Sequence, residues 1–243
     1  LCRPMIGKFR EWLKFHLRWL TIRIKAGPLK GMKWIAVAGT NFFMGRYEVF
    51  KTEGMLKCVK PGDIVYDIGG HVGYYSVLSS VLAGPTGRVF VFEPRPLNIA
   101  FIRHHIRING IENITLLEAA VADRAGEASF EDKTGSGTGH LSEEGSLKVN
   151  TIVIDEFVDG ESHPYPDFLK MDIEGGEIDA LNGARKTIEK SRPNLLLATH
   201  GDTTHSFVLD FLKEYDYTYE VLNPEAIKGD TEIVAFPAGK AIS

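Results

Sequence analysis

The residues best suited to chemistry lie where two short apolar segments end. Residues 63–68 carry Asp67 and run into a glycine-rich turn at 69–73, and residues 88–92 are followed at once by Glu93. Glycine lets a turn bring its backbone close to a ligand, and an acid at the end of a neighbouring strand can accept hydrogen bonds from a ribose diol. Together these features predict a nucleoside pocket.

The position of Asp67 indicates which nucleoside the pocket would bind. A dinucleotide-binding fold seats its pyrophosphate on G-x-G-x-x-G, whereas this chain has an acid two residues before Gly69 and its next glycine in the pattern at Gly73. A carboxylate beside the turn would repel phosphate and suit a ligand that carries an ammonium group. We therefore predict S-adenosylmethionine (SAM) instead of NAD, although a plain strand-turn-helix unit also uses glycines.

The pattern of apolar residues predicts the elements that would position these groups. Strands are expected at 63–68, 88–92, 114–117, 168–171 and 194–198, helices at 74–82, 97–108, 177–182 and 206–215, and a closing hairpin at 217–222 and 233–236. Alternation of strand and helix predicts an α/β fold: a doubly wound, Rossmann-like, mostly parallel sheet with helices on both faces and a C-terminal antiparallel hairpin. Ligands of such sheets bind at the carboxyl ends of the strands.

Four blocks of sequence carry a resemblance to a known family. They are Gly45-Arg46-Tyr47-Glu48, residues 67–76, residues 92–98, and Leu-Lys-Met-Asp-Ile-Glu-Gly-Gly-Glu at 169–177. Over residues 45–200 the chain resembles the FkbM family of SAM-dependent methyltransferases. The last block is close to that family's K-x-D-x-E-G-x-E and is the most specific of the four. The resemblance implies a class I methyltransferase fold.

The chain departs from the family pattern at two places. Family members commonly have Ala-Asn where this chain has Gly70-His71, and Glu-x-His where it has Ala198-Thr199-His200. The missing acid at Ala198 keeps open a different class of function, a SAM-binding or partner-binding module without catalysis.

The resemblance also implies which residues contact the cofactor. In similar proteins the connector before residue 60 commonly roofs the pocket, and an acid after the third strand would accept the adenine amino group. With the turn and its flanking strands, the full predicted set is Tyr47, Glu48, Asp67, Gly69, Gly73, Ser76, Glu93, Pro94, Asn98, Ala122, Asp123 and Asp172. Asp123 has a competing interpretation as an ordinary turn residue.

Methyl transfer to a hydroxyl would need a base. The sulfonium is already activated, but an alcohol is protonated at neutral pH, so a side chain must take its proton. The predicted catalytic residue is His200, because an imidazole ordinarily titrates near ~6.5, with Asp172 or Glu174 as helper or substitute. The spacing of these three residues matches no recognised metal motif, so no metal ligand is assigned and metal dependence stays open.

The methyl acceptor and the partners are less determined. The resemblance suggests a hydroxyl on a sugar or a small natural product, and the alternative is N-methylation or methylation of a macromolecule.

The net charge is −4, yet residues 1–60 hold 13 Lys and Arg against three acids. Residues 8–25 predict a basic amphipathic helix that could lie on an anionic membrane surface or pack on the domain or a second copy, with nucleic acid less favoured.

These observations suggest a division of the chain. Residues 1–60 are expected to form a basic extension and a connector with a short strand pair and a helix at 48–59, and residues 61–243 the methyltransferase domain. Strands at 127–131 and 148–153 would flank 134–139, a glycine-rich loop interpreted as a substrate lid. The two cysteines have neither metal-ligand nor disulfide spacing, and no secretory or membrane-spanning segment is evident. We therefore predict a cytoplasmic protein, free or peripheral to a membrane.

Overall fold

The described part of the chain forms thirteen strands and eight helices. This computed structural model describes residues 16, 20–38, 40–45, 47–131, 139–142, 145–160, 163–223 and 230–239. The strands are β1 (Thr21–Arg23), β2 (Lys33–Ile35), β3 (Ile64–Ile68), β4 (Arg88–Phe92), β5 (Ile114–Leu117), β6 (Ala119–Val121), β7 (Gly126–Glu131), β8 (His140–Leu141), β9 (Leu147–Ile152), β10 (Phe168–Met171), β11 (Asn194–Thr199), β12 (Tyr217–Val221) and β13 (Thr231–Pro237). The helices are α1 (Thr40–Phe43), α2 (Val49–Cys58), α3 (Tyr74–Ala83), α4 (Pro96–Asn109), α5 (Ile154–Asp159), α6 (Glu177–Asn182), α7 (Arg185–Ser191) and α8 (Asp202–Glu214).

Seven strands form the main sheet, in the order β12-β13-β11-β10-β3-β4-β5. β13 pairs antiparallel with both of its neighbours, whereas the pairs from β11 across to β5 are parallel. The chain leaves β3 toward β4 on one side and later places β10 on the other, so a crevice opens between the carboxyl ends of β3 and β10. The predicted doubly wound sheet and its closing antiparallel hairpin are confirmed.

The central strands are buried on both faces. Val89 and Val91 of β4 pack in a cluster with residues of α3 and α4, while Phe90 and Phe92 pack in a second cluster with residues of α5, α7 and α8. Side chains alternate between the two faces of a strand, so a strand covered on both sides needs apolar residues at every position. This requirement is why the strands could be identified from continuous apolar runs.

The predicted bounds of the elements agree closely with the structure. The strands at 88–92, 114–117 and 168–171 and the helix at 177–182 have the predicted ends. The largest difference is in α8, which begins at Asp202 instead of residue 206, because Gly201 at φ 87° redirects the chain and residues 202–205 form the first helical turn. The helices α5 and α7 were not predicted.

A second sheet accompanies the main one. Its order is β6-β9-β7-β8, with β7 antiparallel to both neighbours and β6 parallel to β9. The strands predicted at 127–131 and 148–153 are therefore confirmed as β7 and β9, but in a sheet of their own. Residues 134–138 of the predicted substrate lid lie outside the described residues.

The helix predicted at residues 8–25 is wrong at its carboxyl-terminal end. Of the predicted helix at 8–25, the structure describes His16, which is helical, and the residues from 20 onward. Thr21–Arg23 form a strand that pairs antiparallel with β2, and Gly27 lies in the turn between them with φ 78°. The β-branched side chains of Thr21 and Ile22 favour a strand. None of the helices in the described ranges is long and apolar enough to cross a membrane.

The connector docks on the core through His105. Trp34 is fully buried and stacks on this imidazole with 3.6 Å between ring centroids. The Ile35 N–H donates to His105 Nε2 at 3.0 Å, and His105 Nδ1 lies 2.9 Å from the carbonyl oxygen of Val72, which can only accept. The ring therefore carries its proton on Nδ1, and burial keeps it neutral by lowering its pKa to about 3.

Replacing His105 by Ala should lower the free energy of unfolding by about 2–4 kcal/mol, because two buried backbone groups lose their partner and Trp34 loses its stacking contact. Urea denaturation followed by circular dichroism measures the change. Arg103→Ala on the same helix is the matched control, since its exposed ion pair with Glu118 should contribute little. Equal stabilities of the two variants would contradict the docking role of His105.

Candidate active site

A cavity of about 1000 Å³, counting its open mouth, lies at the carboxyl ends of β3, β4 and β10. Its lining combines apolar side chains such as Phe92 and Val121 with the charged groups of Glu48, Lys170 and Asp172. An apolar wall with a few convergent charged groups is typical of a small-molecule binding site.

The turn after β3 approaches the end of β10 so closely that only glycine fits. Gly69 has φ 84°, and a Cβ at this position would lie 2.1 Å from the carbonyl oxygen of Asp172. The N–H groups of Gly69 and Gly70 both donate to the carbonyl oxygen of Phe92, at 2.9 and 3.1 Å. The glycines thus bring the ends of three strands together at the cavity.

Asp67 supports this turn and does not line the cavity. Its fully buried side chain accepts a hydrogen bond from Ser76 Oγ at 2.6 Å and lies 3.0 Å from Lys170 Nζ. Lys170 is opposite Asp67 in the register of β10 against β3, and its ammonium group also donates to the carbonyl oxygen of Gly69 at 2.7 Å. A buried ion pair therefore connects the first strand of the fold to the glycine turn.

Glu93 is the acid that lines the cavity at the end of β4. Its carboxylate is 4% exposed and accepts hydrogen bonds from the His71 N–H at 2.7 Å, the Arg95 N–H at 2.9 Å and the Asn98 side-chain amide at 3.2 Å. Burial raises the pKa of Glu93 to about 7, against the opposing effect of these hydrogen bonds. The carboxylate is held in one position and titrates near neutral pH.

Lys51 of α2 lies among three carboxylates. Its buried Nζ is 2.8 Å from Asp172 Oδ2, 2.8 Å from Glu232 Oε1 and 3.0 Å from Glu48 Oε2. Burial alone would lower the pKa of Lys51, but the acids raise it well above its ordinary value. Burial would likewise raise the pKa of Asp172, but Lys51 and Lys170 hold it below its ordinary value. Asp172 is therefore ionised and a weak base.

His200, at the end of β11, lies among acids as well. Its Nδ1 is 2.8 Å from Glu177 Oε1, and its Nε2 is 3.6 Å from Glu174 Oε2 and 3.8 Å from Asp172 Oδ1. The hydrogen bond with Glu177 is the main reason that the pKa of His200 is raised to about 9, and burial only partly opposes it. In this arrangement the imidazole is protonated at neutral pH, a state that cannot accept a proton.

The structure gathers most of the predicted site residues at the cavity. His200 contacts two residues of the lining, Asp172 and Glu174. The predicted residues that line the cavity themselves are Tyr47, Glu48, Gly69, Glu93, Pro94, Asn98, Asp172 and Glu174.

Five predicted cofactor residues do not line the cavity: Asp67, Gly73, Ser76, Ala122 and Asp123. Asp67 and Ser76 bond to each other, and Gly73 packs closely against Ile102. After β5 the chain turns at once into β6, so Ala120 and Val121 line the cavity in place of the residues predicted two positions later.

Several polar residues of the site were not identified from the sequence, namely Lys51, Tyr75, Lys170, Glu177 and Glu232. Lys170 could have been recognised from the sequence, because it is the one charged residue in an otherwise apolar strand. Lys51 follows Glu48 by three residues, a spacing that places both on one side of α2. Glu232 reaches the site only through strand pairing: it is the partner of Ala198, the position where similar family members have an acid. No local pattern reveals such a pairing.

Comparisons with known proteins agree with this geometry. The family model described as the methyltransferase FkbM domain matches residues 67–219. Hexuronic acid methyltransferase AglP of Haloferax volcanii is 27% identical over 170 residues, which cover 69% of this chain and 68% of that protein. The 2-O-methyltransferase NoeI of Sinorhizobium fredii is 27% identical over 153 residues, 55% of this chain and 62% of NoeI. The crystal structure of methyltransferase FkbM from Methylobacillus flagellatus superposes with a TM-score of 0.56 at 19% identity, covering 82% of this chain and 53% of that one.

The strand order, the crevice between β3 and β10 and the structural likeness define a class I methyltransferase fold. The family model matches more than half of the residues of this chain, so the chain belongs to the FkbM methyltransferase family. The resemblance to this family is confirmed, and three of the four sequence blocks lie within the matched residues. The chain spans less than two thirds of NoeI and about half of the crystallised FkbM protein.

Asp67→Asn should lower the free energy of unfolding by about 3–5 kcal/mol, because it leaves the buried ammonium group of Lys170 without its counter-charge. Chemical denaturation measures the loss. The double variant Asp67→Asn with Lys170→Met should recover part of that stability, since it removes the uncompensated charge. A single variant as stable as the parent protein would show that the pair does not support the turn.

Proposed function

We propose that this protein transfers the methyl group of SAM to a hydroxyl group of a sugar. The observation that carries the proposal is one cavity lined by Glu93 at the end of β4 and by Asp172 and Glu174 after β10, the two acids that His200 contacts from the end of β11. The family supports methyl transfer, and the relatives AglP, a hexuronic acid methyltransferase, and NoeI, a 2-O-methyltransferase, support a carbohydrate acceptor.

The cofactor would bind along the carboxyl ends of β3 and β4. Its ribose hydroxyls would donate to Glu93, as acids at this strand end do in nucleotide-binding sheets. The apolar surface of Phe92, Ala120 and Val121 would pack on the adenine ring, and Tyr47 and Glu48 would cover the pocket. The hydrogen bonds that already fix the Glu93 carboxylate mean that little reorganisation is needed on binding.

The acceptor would bind at the acid and histidine cluster. β3 separates Glu93 from Asp172, so two strand spacings of about 4.8 Å place these two strand ends roughly 10 Å apart. A ligand held at Glu93 would extend along the edge of the sheet toward Asp172. The acceptor oxygen then forms its bond to the methyl carbon while the carbon–sulfur bond breaks and its electron pair stays on sulfur. S-adenosylhomocysteine (SAH) leaves as a neutral thioether.

The hydroxyl proton must leave as this bond forms. His200 is the predicted acceptor of that proton, but only in its neutral form, which is the minor form at neutral pH. Asp172 and Glu174 are the alternatives, and Glu174 is the stronger base of the two because burial raises its pKa whereas that of Asp172 is lowered. Glu177 is a positioning residue here, because its hydrogen bond to Nδ1 directs Nε2 toward Asp172 and Glu174.

The affinity for SAH should depend on pH through Glu93. Its pKa of about 7 is above the ordinary value for Glu, and the ionised form is the better acceptor for ribose hydroxyls. Affinity should therefore rise about tenfold from pH 6 to pH 8, as the ionised fraction grows from about one tenth to nine tenths. Calorimetry at several pH values measures the trend, and Glu93→Gln should bind more weakly with a flat profile. A flat profile in the parent protein would remove Glu93 from the cofactor contacts.

Transfer of the labelled methyl group from SAM to a panel of neutral sugars, amino sugars and uronic acids tests the activity directly. His200→Ala should slow turnover by at least about tenfold and leave SAM affinity unchanged, because His200 lies at the acceptor and not at Glu93. His104→Ala on α4, which does not line the cavity, is the matched control and should retain turnover.

Two outcomes would contradict the proposal. A parent protein that binds neither SAM nor SAH would exclude the cofactor, and one that binds SAM but labels no hydroxyl compound would favour the non-catalytic module. The cytoplasmic location, the boundary near residue 60 and a membrane-surface or self-association role for residues 8–25 stay predictions.

A further inference from the structure

The ends of β10 and β11 bring three potential ligand atoms to the rim of the cavity. One carboxylate oxygen of Asp172, one of Glu174 and one imidazole nitrogen of His200 all lie within 4.8 Å of one another. Nε2 is 3.6 and 3.8 Å from the two carboxylate oxygens, which is longer than a hydrogen bond. Each side chain is partly exposed, at 22–32%, so the space between the three atoms is accessible.

Two buried residues outside this trio fix which atoms face the gap. Glu177, with no exposed surface, holds His200 Nδ1 at 2.8 Å, so Nε2 is the nitrogen directed at the carboxylates. Lys51 holds Asp172 Oδ2 at 2.8 Å and leaves Oδ1 available. A histidine whose second nitrogen is bound by a buried carboxylate is the usual support for a metal ligand. Glu177 Oε2 is itself buried with no hydrogen-bond partner among the described residues.

The charge balance of this region also favours a cation. Glu48, Asp172, Glu174, Glu177 and Glu232 surround Lys51 and His200 within the contacts described above. Lys170 also acts on Asp172, but it is paired with Asp67. Even with His200 protonated and this pair counted, the carboxylates outnumber the positive charges. A divalent ion between Asp172, Glu174 and His200 would offset this excess, whereas a proton on His200 offsets only part of it.

We propose that Asp172, Glu174 and His200 bind one divalent transition-metal ion of the Mn²⁺ class. Two carboxylates suit Mn²⁺, and the imidazole nitrogen favours a transition metal over Mg²⁺ or Ca²⁺, which prefer oxygen ligands throughout. Three protein ligands leave coordination positions open on the ion.

The role of this ion rests on the proposed function. The acceptor hydroxyl would coordinate at an open position, where the metal charge lowers the pKa of the hydroxyl. Its proton passes to solvent, the oxygen forms its bond to the methyl carbon of SAM, and the electron pair of the broken carbon–sulfur bond stays on sulfur. His200 is then a metal ligand in the loaded enzyme instead of the base.

Mn²⁺ titration of the metal-stripped full chain, followed by the electron paramagnetic resonance signal of free Mn²⁺, tests the site without any turnover. We expect one ion per chain. Binding should weaken at least tenfold in His200→Ala and in Glu174→Gln, and about 10–100-fold in Glu177→Gln, which keeps all three ligands but loses the orienting carboxylate. Asp210→Asn, an exposed acid on α8, is the matched control and should bind as the parent does.

The proposed metal site and the proposed methyltransferase function can be contradicted independently of each other. No stoichiometric Mn²⁺ uptake by the folded parent, or equal uptake by His200→Ala, overturns the metal site. Methyl transfer by the chelated protein would then leave the proposed function standing. Uptake of one Mn²⁺ by a protein that neither binds SAM nor methylates any hydroxyl supports the site and overturns the function. Circular dichroism confirms that each variant is folded.

Discussion

The ion pair between Asp67 and Lys170 is the contact on which the candidate site depends. It connects β3 to β10 across the point where the sheet reverses its order, and Lys170 also binds the carbonyl oxygen of Gly69. Both side chains are almost completely buried, so neither charge can be satisfied by water if its partner is lost. The pair thereby determines how the glycine turn lies against the ends of the strands.

The polar groups divide between two parts of the cavity according to the strand that carries them. Glu93 ends β4 and is bound by backbone and amide N–H groups, which suits an acceptor of hydrogen bonds from a neutral diol. Asp172 and His200 end β10 and β11, where acids predominate and positive charges are in the minority. One sheet edge thus offers a hydrogen-bond acceptor for a diol next to a strongly anionic region, a combination suited to a ligand that carries hydroxyls in one part and a positive charge in another.

Sequence patterns predicted the sheet well because its central strands are buried on both faces, and a glycine turn marks the end of β3. They also predicted Asp67, Glu93, Asp172, Glu174 and His200 as site residues, since each lies at or just past the end of an apolar strand. They assigned Asp67 to the cofactor because Lys170, its partner, is adjacent only once β10 pairs with β3. Glu232 was missed for the same reason: its place beside Ala198 comes from the antiparallel register of β13. A local pattern can identify a strand, but it does not show which residues of a distant strand lie opposite it.

Lys51 joins parts of the chain that are synthesised at very different times. Its ammonium group binds Glu48 in the connector, Asp172 after β10 and Glu232 in β13, the strand that is inserted between β11 and β12. Without β13 docked, Lys51 would lack one of its three carboxylates and one edge of β11 would be unpaired. The charge arrangement around Asp172 therefore depends on closure of the sheet by its last strand.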